Sequence, residues 1–348
     1  MKITKIAVVG AGITGCILAN LLGSKNRDVS VFEKSRGCGG RASTKQTDWG
    51  QCDLGATIVP AKNAQFIDFM QGLSKQNIVS KWPEKVFVSE QIAATEQPFE
   101  HFISDREYYV FNRKMNAACR HWIRNAQLHT NSLISQIRYL DGKGWQLKLN
   151  DVWQASLFDK VVVTAPWPQS QALLEQSALP IELPDFSQSW TSCWSIALKS
   201  QQLVAADVDL VYLKNHAIQT LVRDSSKPQR PQCFSSEAGE KNEIWVAQLA
   251  NQLSDKLGKS DTDMAISIAT KGFCELFNLP YKSVSHSYAH YWRYARPSAG
   301  QKPLGILSHH QHGIYAGGDW SFGASIESAY EAALTLNQSI ITGITSYD

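Results

Sequence analysis

Three glycines, Gly10, Gly12 and Gly15, follow the apolar run Ile6 to Val9. An acid, Glu33, ends a second apolar run 23 residues after Gly10. Strand, glycine turn, helix, strand and acid in this order form a cradle for a dinucleotide. Gly10 permits the tight turn, Gly12 lets backbone approach a pyrophosphate, and Gly15 lets the helix pack closely on the strand. The phosphates then meet unpaired amides at the helix N-terminus, around Ile13 and Thr14. Glu33 can accept hydrogens from both hydroxyls of an adenosine ribose and would repel a 2′-phosphate, so the adenosine half is expected to be unphosphorylated at that position.

Lys34 and a second glycine turn, Gly39-Gly40-Arg41, come directly after the acid. Two turns suggest a longer ligand path. Gly39 and Gly40 let backbone lie against the cofactor, and Arg41 can neutralise pyrophosphate or meet a flavin edge. This segment, together with Asp53-Leu54-Gly55-Ala56 and the C-terminal Gly317-Gly318-Asp319, resembles the flavin amine-oxidase superfamily. The resemblance implies FAD, contacted by Lys34, Asp53, Gly55, Ala56, Gly318 and Asp319. It also implies a helix opening at Ser325 and Ile326 that points its N-terminus at the flavin. Such a helix end favours the charge of reduced flavin by ~0.5–2 kcal/mol. Some amine oxidases attach FAD through a cysteine before the C-terminal glycine turn. Tyr315-Ala316 stand there in this chain, so noncovalent FAD is expected. A turn or capping role, common for Asp, is the other reading of Asp319.

A narrower resemblance lies in His290-Tyr291-Trp292-Arg293-Tyr294-Ala295-Arg296-Pro297. A W-R-Y-A-x-P segment shortly before G-G-D-W is similar to the renalase-like branch, although Tyr291 replaces a basic residue common in relatives. The resemblance implies hydride transfer from a small-molecule substrate, 2- or 6-dihydro-NAD(P), to flavin N5, with oxygen accepting the electrons to give hydrogen peroxide. A dihydropyridine that loses hydride regains aromaticity, so no residue is assigned as catalytic acid or base. Strand alternation places Val284, His286, Tyr288, His290, Trp292 and Tyr294 on one face and Ser285, Ser287, Ala289, Tyr291, Arg293 and Ala295 on the other. His290, Trp292 and Tyr294 are candidates for the substrate pocket, and Arg293 for a substrate phosphate. An aromatic core strand and a structural ion pair are the other readings. The same cofactor motifs suit an amine oxidase, a desaturase or a noncatalytic flavin-binding redox sensor.

The elements that position these groups read as an α/β fold: a Rossmann-like FAD-binding domain with a discontinuous α+β substrate domain on a mainly antiparallel sheet. With 348 residues and 43% hydrophobic content, two domains are expected, since single cores stop growing near ~250–300 residues. The nucleotide domain is expected from 1–60, 105–167 and 295–348, the substrate domain from 61–104 and 168–294. Phe66 to Leu73 and Asp261 to Phe277 carry helical periodicity, and Val161 to Ala165 reads as a buried strand stopped by Pro166. Ser225 to Gln232, with two prolines, reads as a mobile loop.

The net charge of +3 comes from dispersed Lys and Arg, which makes no case for nucleic acid. Glycines interrupt the apolar N-terminal stretch, which therefore reads as the first strand and helix rather than a targeting segment. With no other long apolar run, a cytoplasmic protein without a membrane partner is expected. Seven cysteines, odd in number and without C-x-x-C, read as reduced thiols, with Cys38 and Cys52 as packing residues. His309, His310 and His312 lack the spacing of a metal site, and none is expected. Oligomeric state stays open.

Overall fold

The computed structural model describes residues 3–23, 26–89, 99–177, 179, 183, 188–204, 207–231 and 242–343. The chain divides into two compact units, one formed by 1–40, 116–189 and 297–348, the other by 41–115 and 190–296. The boundaries differ from the sequence reading. Residues 41–60 and 105–115 pack with the second unit, and 168–189 with the first. The reason lies in local pairing. Strand Glu107–Phe111 is paired antiparallel on both sides, by Val59–Ala61 and by Val79–Lys81, which ties these segments to the second unit.

The first unit is built on a six-stranded sheet in the order 127–129, 27–32, 4–9, 160–163, 314–316, 307–309. Neighbours are parallel except at the last pair, which is antiparallel. Ile6, Ala7 and Val8, like Val161 to Val163, are fully buried, as continuous apolar runs must be when both sheet faces are covered. Lys160–Val163 returns beside Thr4–Val9, which places the carboxyl end of Thr4–Val9 at the switch point where open α/β sheets bind ligands. Helix Ile13–Leu22 is buried along most of its length and packs against helix Ile326–Thr342. That second helix starts at Ser325, whose side chain accepts from the Ser328 amide, and ends at Gly343, whose positive φ closes a left-handed cap. The Asp141 to Lys143 turn joins two strands of a three-stranded antiparallel sheet.

The second unit carries a seven-stranded sheet in the order 284–297, 190–200, 243–249, 218–223, 210–213, 87–89, 100–101. From 190–200 to 100–101 neighbouring strands run antiparallel, except that Leu210–Leu213 lies parallel to Phe87–Ser89. Helix Thr262–Leu276 covers one face through Ala265, Ala269 and Phe273, which recur at four-residue spacing. Helix Ala64–Lys75 is capped by Asn63 and buries Phe66, Met70 and Leu73. Among the described residues no helix is long and apolar enough to cross a membrane. Six cysteines are free and buried, and Cys233 lies outside the described residues.

Phe273 is fully buried, its ring 5.8 Å from that of Trp245 and 5.2 Å from that of Phe277. Phe273→Ala should therefore destabilise the protein by about 3–5 kcal/mol. The check is the shift of the urea midpoint; a change below ~1 kcal/mol would mean that this helix does not anchor the sheet.

Candidate functional site

In the first unit, strand Thr4–Val9 ends in a turn clamped from several sides. The Gly10 amide donates to Phe32 O at 2.8 Å, and the Thr164 hydroxyl donates to Gly10 O at 2.9 Å. Gly10 has φ +109°, which an L side chain rarely adopts. The other two fingerprint glycines have different physical reasons. A Cβ on Gly15 would lie 2.1 Å from Gly10 O, so helix and turn leave it no space. A Cβ on Gly12 would meet no protein atom within 4 Å. Gly12 thus faces open space, as a position beside a ligand should.

The helix begins at Gly12 without a side-chain cap and without an acid in its first turn. Its first intrahelical bond runs from Cys16 N to Gly12 O, so the amides of Ile13, Thr14 and Gly15 precede the helical ladder and suit phosphate oxygens. The side chains of Ile13 and Thr14 are buried, and the Thr14 hydroxyl donates to Ala329 O on the C-terminal helix at 3.1 Å. Only their backbone is left for a ligand.

Glu33 is buried, with Oε2 accepting from Ala11 N at 2.9 Å and Oε1 from Ser35 N at 2.8 Å. Each carboxylate oxygen keeps a lone pair for a further donor. The two glycine turns touch: Gly39 N donates to Ala11 O at 2.8 Å, and Gly12 and Gly39 form a parallel bridge. Lys34 is exposed and reaches Gln169. At the C-terminal turn, Ser321 Oγ accepts from the Gly318 amide, while Asp319 O accepts from the amides of Phe322 and Gly323. Asp319 thus opens a short helical turn capped by Gly318.

In the second unit, Arg41 is half-buried. Its Nη1 donates to Ala295 O at 3.0 Å, and its guanidinium lies 5.5 Å from the Trp190 ring centre. Ala56 N donates to Arg41 O, and a Cβ on Gly55 would fall 1.8 Å from that same oxygen. The Gly-Ala pair is therefore required by close approach of two backbones. Asp53 has another task than the one its motif suggests. Its fully buried carboxylate pairs with Lys227 Nζ at 2.7 Å and with Arg230, and accepts from the Thr44 hydroxyl. These cations hold Asp53 below the usual carboxylate range despite burial. Asp224, also buried and paired with Lys227, is pushed up to about 6 by burial and by Asp53.

The described part of Ser225 to Gln232 is thus not a free loop. Residues 224–226 form a helical turn, Lys227 and the Arg230 side chain are buried, and Gln232 lies outside the described residues. Sequence reasoning missed Lys227 and Arg230. Their partner is 174 residues or more away, and no local pattern signals it.

Strand Val284–Pro297 presents two different faces. Ala289 and Tyr291 pack into the core around Trp194 and Phe273, joined there by Val284, which departs from the expected alternation. On the other face Trp49 approaches His286, Lys45 Nζ lies 4.8 Å over the Tyr288 ring, and Trp292 Nε1 donates to Leu54 O at 2.7 Å. His290 and Trp292 rings lie 4.3 Å apart. Burial first, then the Lys45 and Lys259 charges, lower the His290 pKa, so its imidazole is neutral at pH 7. Tyr294 packs edge-on to Trp190, and the exposed Arg293 folds over Tyr294. The His309 and His312 rings face each other with Nδ1 atoms 3.1 Å apart. Among the described residues no three His, Cys, Asp or Glu side chains group as a metal site.

Residues 8–73 match the family model of an NAD(P)-binding Rossmann-like domain. A 55-residue stretch is 44% identical to 4,4′-diapophytoene desaturase (4,4′-diaponeurosporene-forming) of Staphylococcus aureus; it spans 16% of this chain and only 11% of the desaturase. Whole-chain likeness is one of fold. A protein of Exiguobacterium sp. 255-15 assigned as a protoporphyrinogen oxidase superposes with TM-score 0.73 at 12% identity, covering 99% of this chain and 100% of that one. An oxidoreductase of Methanosarcina mazei gives 0.70 at 12% identity, covering 96% and 99%. Reduced UDP-galactopyranose mutase gives 0.70 at 10% identity, covering 99% and 95%. The fold is that of these structures, and the stretch similar to the Rossmann-like model begins in the strand, glycine turn and helix of the first unit.

Because its side chain would enter open space, Gly12→Val should fold with a melting temperature near that of the parent yet purify without dinucleotide, whereas Gly15→Ala should lose stability. Equal dinucleotide content in folded Gly12→Val would remove Gly12 from the cradle. The Asp224 carboxyl, at 3.8 when unperturbed and about 6 when folded, contributes stability fully below about pH 4 and loses it as pH rises through about 6. Asp53 has the opposite sign and matters only below its ordinary range. The stability difference between the parent and Asp224→Asn should therefore shift against the parent from about pH 4 to 7, and urea midpoints across that range check it. A constant difference would show that Asp224 does not titrate there.

Proposed function

We propose that the chain is an FAD-dependent oxidase of renalase-like chemistry, taking hydride from 2- or 6-dihydronicotinamide isomers of NAD(P). The reading rests on the resemblance of its cofactor and W-R-Y-A-x-P segments. The observation that carries it furthest is the Trp292 tie to Leu54 O, which fixes the aromatic face of that strand beside the segment leading into Gly55-Ala56.

The cradle suits a dinucleotide with a free adenosine ribose. Gly12 opens toward the pyrophosphate, the amides of Ile13, Thr14 and Gly15 face it, and Glu33 receives the ribose hydroxyls. Gly39 and Gly40 continue the path, and the helix opening at Ser325 and Ile326, with Gly318 and Asp319 before it, supplies a positive dipole end. FAD held noncovalently by these residues would supply the hydride acceptor, N5, and the route for electrons to oxygen that gives hydrogen peroxide.

The second unit orients the substrate. Tyr288, His290 and Trp292 supply an aromatic face for a nicotinamide ring, with Lys45 over the Tyr288 ring and the exposed Arg293 over Tyr294 as the cations for its phosphates. Arg41 and Ala56 take the cofactor roles of their motif. Asp53 acts through position, holding the Asp53 to Ala56 segment by its ion pairs. No group need remove a proton, because aromatisation of the pyridinium drives the hydride transfer; a neutral, half-buried His290 is compatible with that.

Anaerobic mixing of the purified flavoprotein with 2- and 6-dihydronicotinamide isomers, NADH and a panel of amines tests this. The isomers alone should bleach the flavin absorbance, air should restore it with peroxide formed, and Trp292→Ala should bleach at least about tenfold more slowly. Bleaching by amines alone would assign the chain to amine oxidation instead. No bleaching by either, with slow reoxidation in air, would favour a redox sensor, and an unchanged rate in Trp292→Ala would return Trp292 to packing.

A further inference from the structure

Three buried free thiols converge beneath the glycine turns of the first unit. Cys16 lies on helix Ile13–Leu22, Cys38 in the second glycine-rich turn, and Cys119 on helix Ala117–Trp122. The Cys16 thiol donates to Ala11 O at 3.3 Å, and the thiols of Cys119 and Cys38 are the groups that act most on it. The Cys38 backbone is held in place as well, its carbonyl accepting from Asn116 Nδ2 and the following Gly39 amide donating to Ala11 O. One thiol pair therefore spans both turns of the cradle. Cys38 is 4% exposed and Cys16 has no exposed surface, so a small oxidant meets Cys38 first.

The two sulfurs are unequal. The hydrogen bond from Cys16 lowers Cys38 to about 7 against the cost of burial, with help from the Arg120 charge and opposition from Glu33. Contacts with Cys119 and Cys38, together with burial, push Cys16 well above the ordinary thiol range. Near neutral pH one member is substantially thiolate and the other keeps its proton. This is the division between an attacking and a resolving cysteine.

We propose that Cys38 and Cys16 form a peroxide-reactive dithiol, an oxidative modification site built across the two glycine turns of the dinucleotide cradle. The Cys38 thiolate attacks one oxygen of hydrogen peroxide and the O–O bond breaks, leaving a sulfenic acid on Cys38 and a hydroxide that takes a proton to become water. Cys16 then loses its proton and its sulfur displaces the hydroxyl from Cys38, forming the S–S bond and a second water. Two thiols and one peroxide give one disulfide and two waters; the sulfur pair loses two electrons and the peroxide gains them. The Cys16 thiol and the Gly39 amide meet on the same Ala11 carbonyl, so the two cysteines start on neighbouring segments and the bond requires their sulfurs to approach to ~2.05 Å. Closure takes Cys16 from the Ala11 carbonyl and ties the Gly39 turn to the first helix. Supply of the peroxide by the protein's own turnover rests on the function proposed above, whereas the reaction with added peroxide does not.

The test treats the purified full-length flavoprotein with a few equivalents of hydrogen peroxide under native conditions, blocks remaining thiols with N-ethylmaleimide, and maps unreduced peptides by mass spectrometry. A Cys16–Cys38 linked peptide, reversed by dithiothreitol, is expected. It should persist in Cys119→Ser and vanish in Cys38→Ser, and Cys16→Ser should stop at a Cys38 sulfenic acid trapped by dimedone. Recovery of every thiol as its maleimide adduct, or linkage of Cys16 to Cys119 in place of Cys38, would overturn the proposal. Linkage with added peroxide but none during aerobic turnover would support the site and count against the oxidase reading alone.

Discussion

The first unit depends on the peptide group between Ala11 and its neighbours. Its N–H is taken by the Glu33 carboxylate and its C=O by the Gly39 amide, while Gly10 N bonds the end of the second strand at Phe32. One stretch of main chain thereby joins the first turn, the acid and the second turn. Hydrogen bonds to a charged group contribute roughly 1.5–3 kcal/mol each, and burial of the carboxylate makes losing them costlier. Glu33 consequently has a structural task before any ligand arrives. Its two backbone bonds fix where its remaining lone pairs point, so the acid that meets a ribose on the proposed reading is also what holds the turns in register.

The second unit solves a related problem with side chains. Asp53 sits where no water can solvate it, and an uncompensated carboxylate there would cost several kcal/mol. Lys227, Arg230 and Thr44 satisfy it. The cluster has a side effect on its neighbour: Asp224 shares the same cations at the expense of its own ionisation. Gly55 and Ala56 follow immediately, and Arg41 O packs so tightly on Gly55 that a methyl group does not fit. The backbone of this segment is thus fixed from one side by charge and from the other by contact.

Local features of both units were legible in the sequence, and distant pairings were not. The glycine fingerprint, the helix opening at Ser325 and the buried strand at Val161 to Val163 all follow from periodicity, capping and turn chemistry within a few residues. The two faces of the strand from 286 to 292 also follow from alternation, with Val284 as the exception. Lys227 and Arg230 were read as part of a loop because prolines flank them, and nothing nearby announces Asp53. Thr164 looked like one more residue of a β-branched run, yet its hydroxyl holds the Gly10 turn. Strand Glu107–Phe111 went to the wrong compact unit for the same reason: its sequence says strand, and only its partners say which sheet.

On the proposed reading no residue need transfer a proton, and the charge layout of the second unit is compatible with that. Its ionised carboxylate at Asp53 is consumed by two cations in the interior, and His290 is kept neutral by burial and by Lys45 and Lys259. What remains on the face formed by Tyr288, His290 and Trp292 is aromatic surface with positive charge at its margin. A carboxylate there would invite proton abstraction from an amine and would repel a substrate phosphate. Aromatic surface flanked by cations instead suits a reaction whose driving force lies within the substrate ring and whose protein partner contributes orientation and exclusion of water. On the proposed reading, the same layout explains why conventional acid and base motifs are missing from the sequence: the chemistry asks the protein for a rigid surface, and rigidity comes from the interior ion pairs and the Trp292 tie to Leu54.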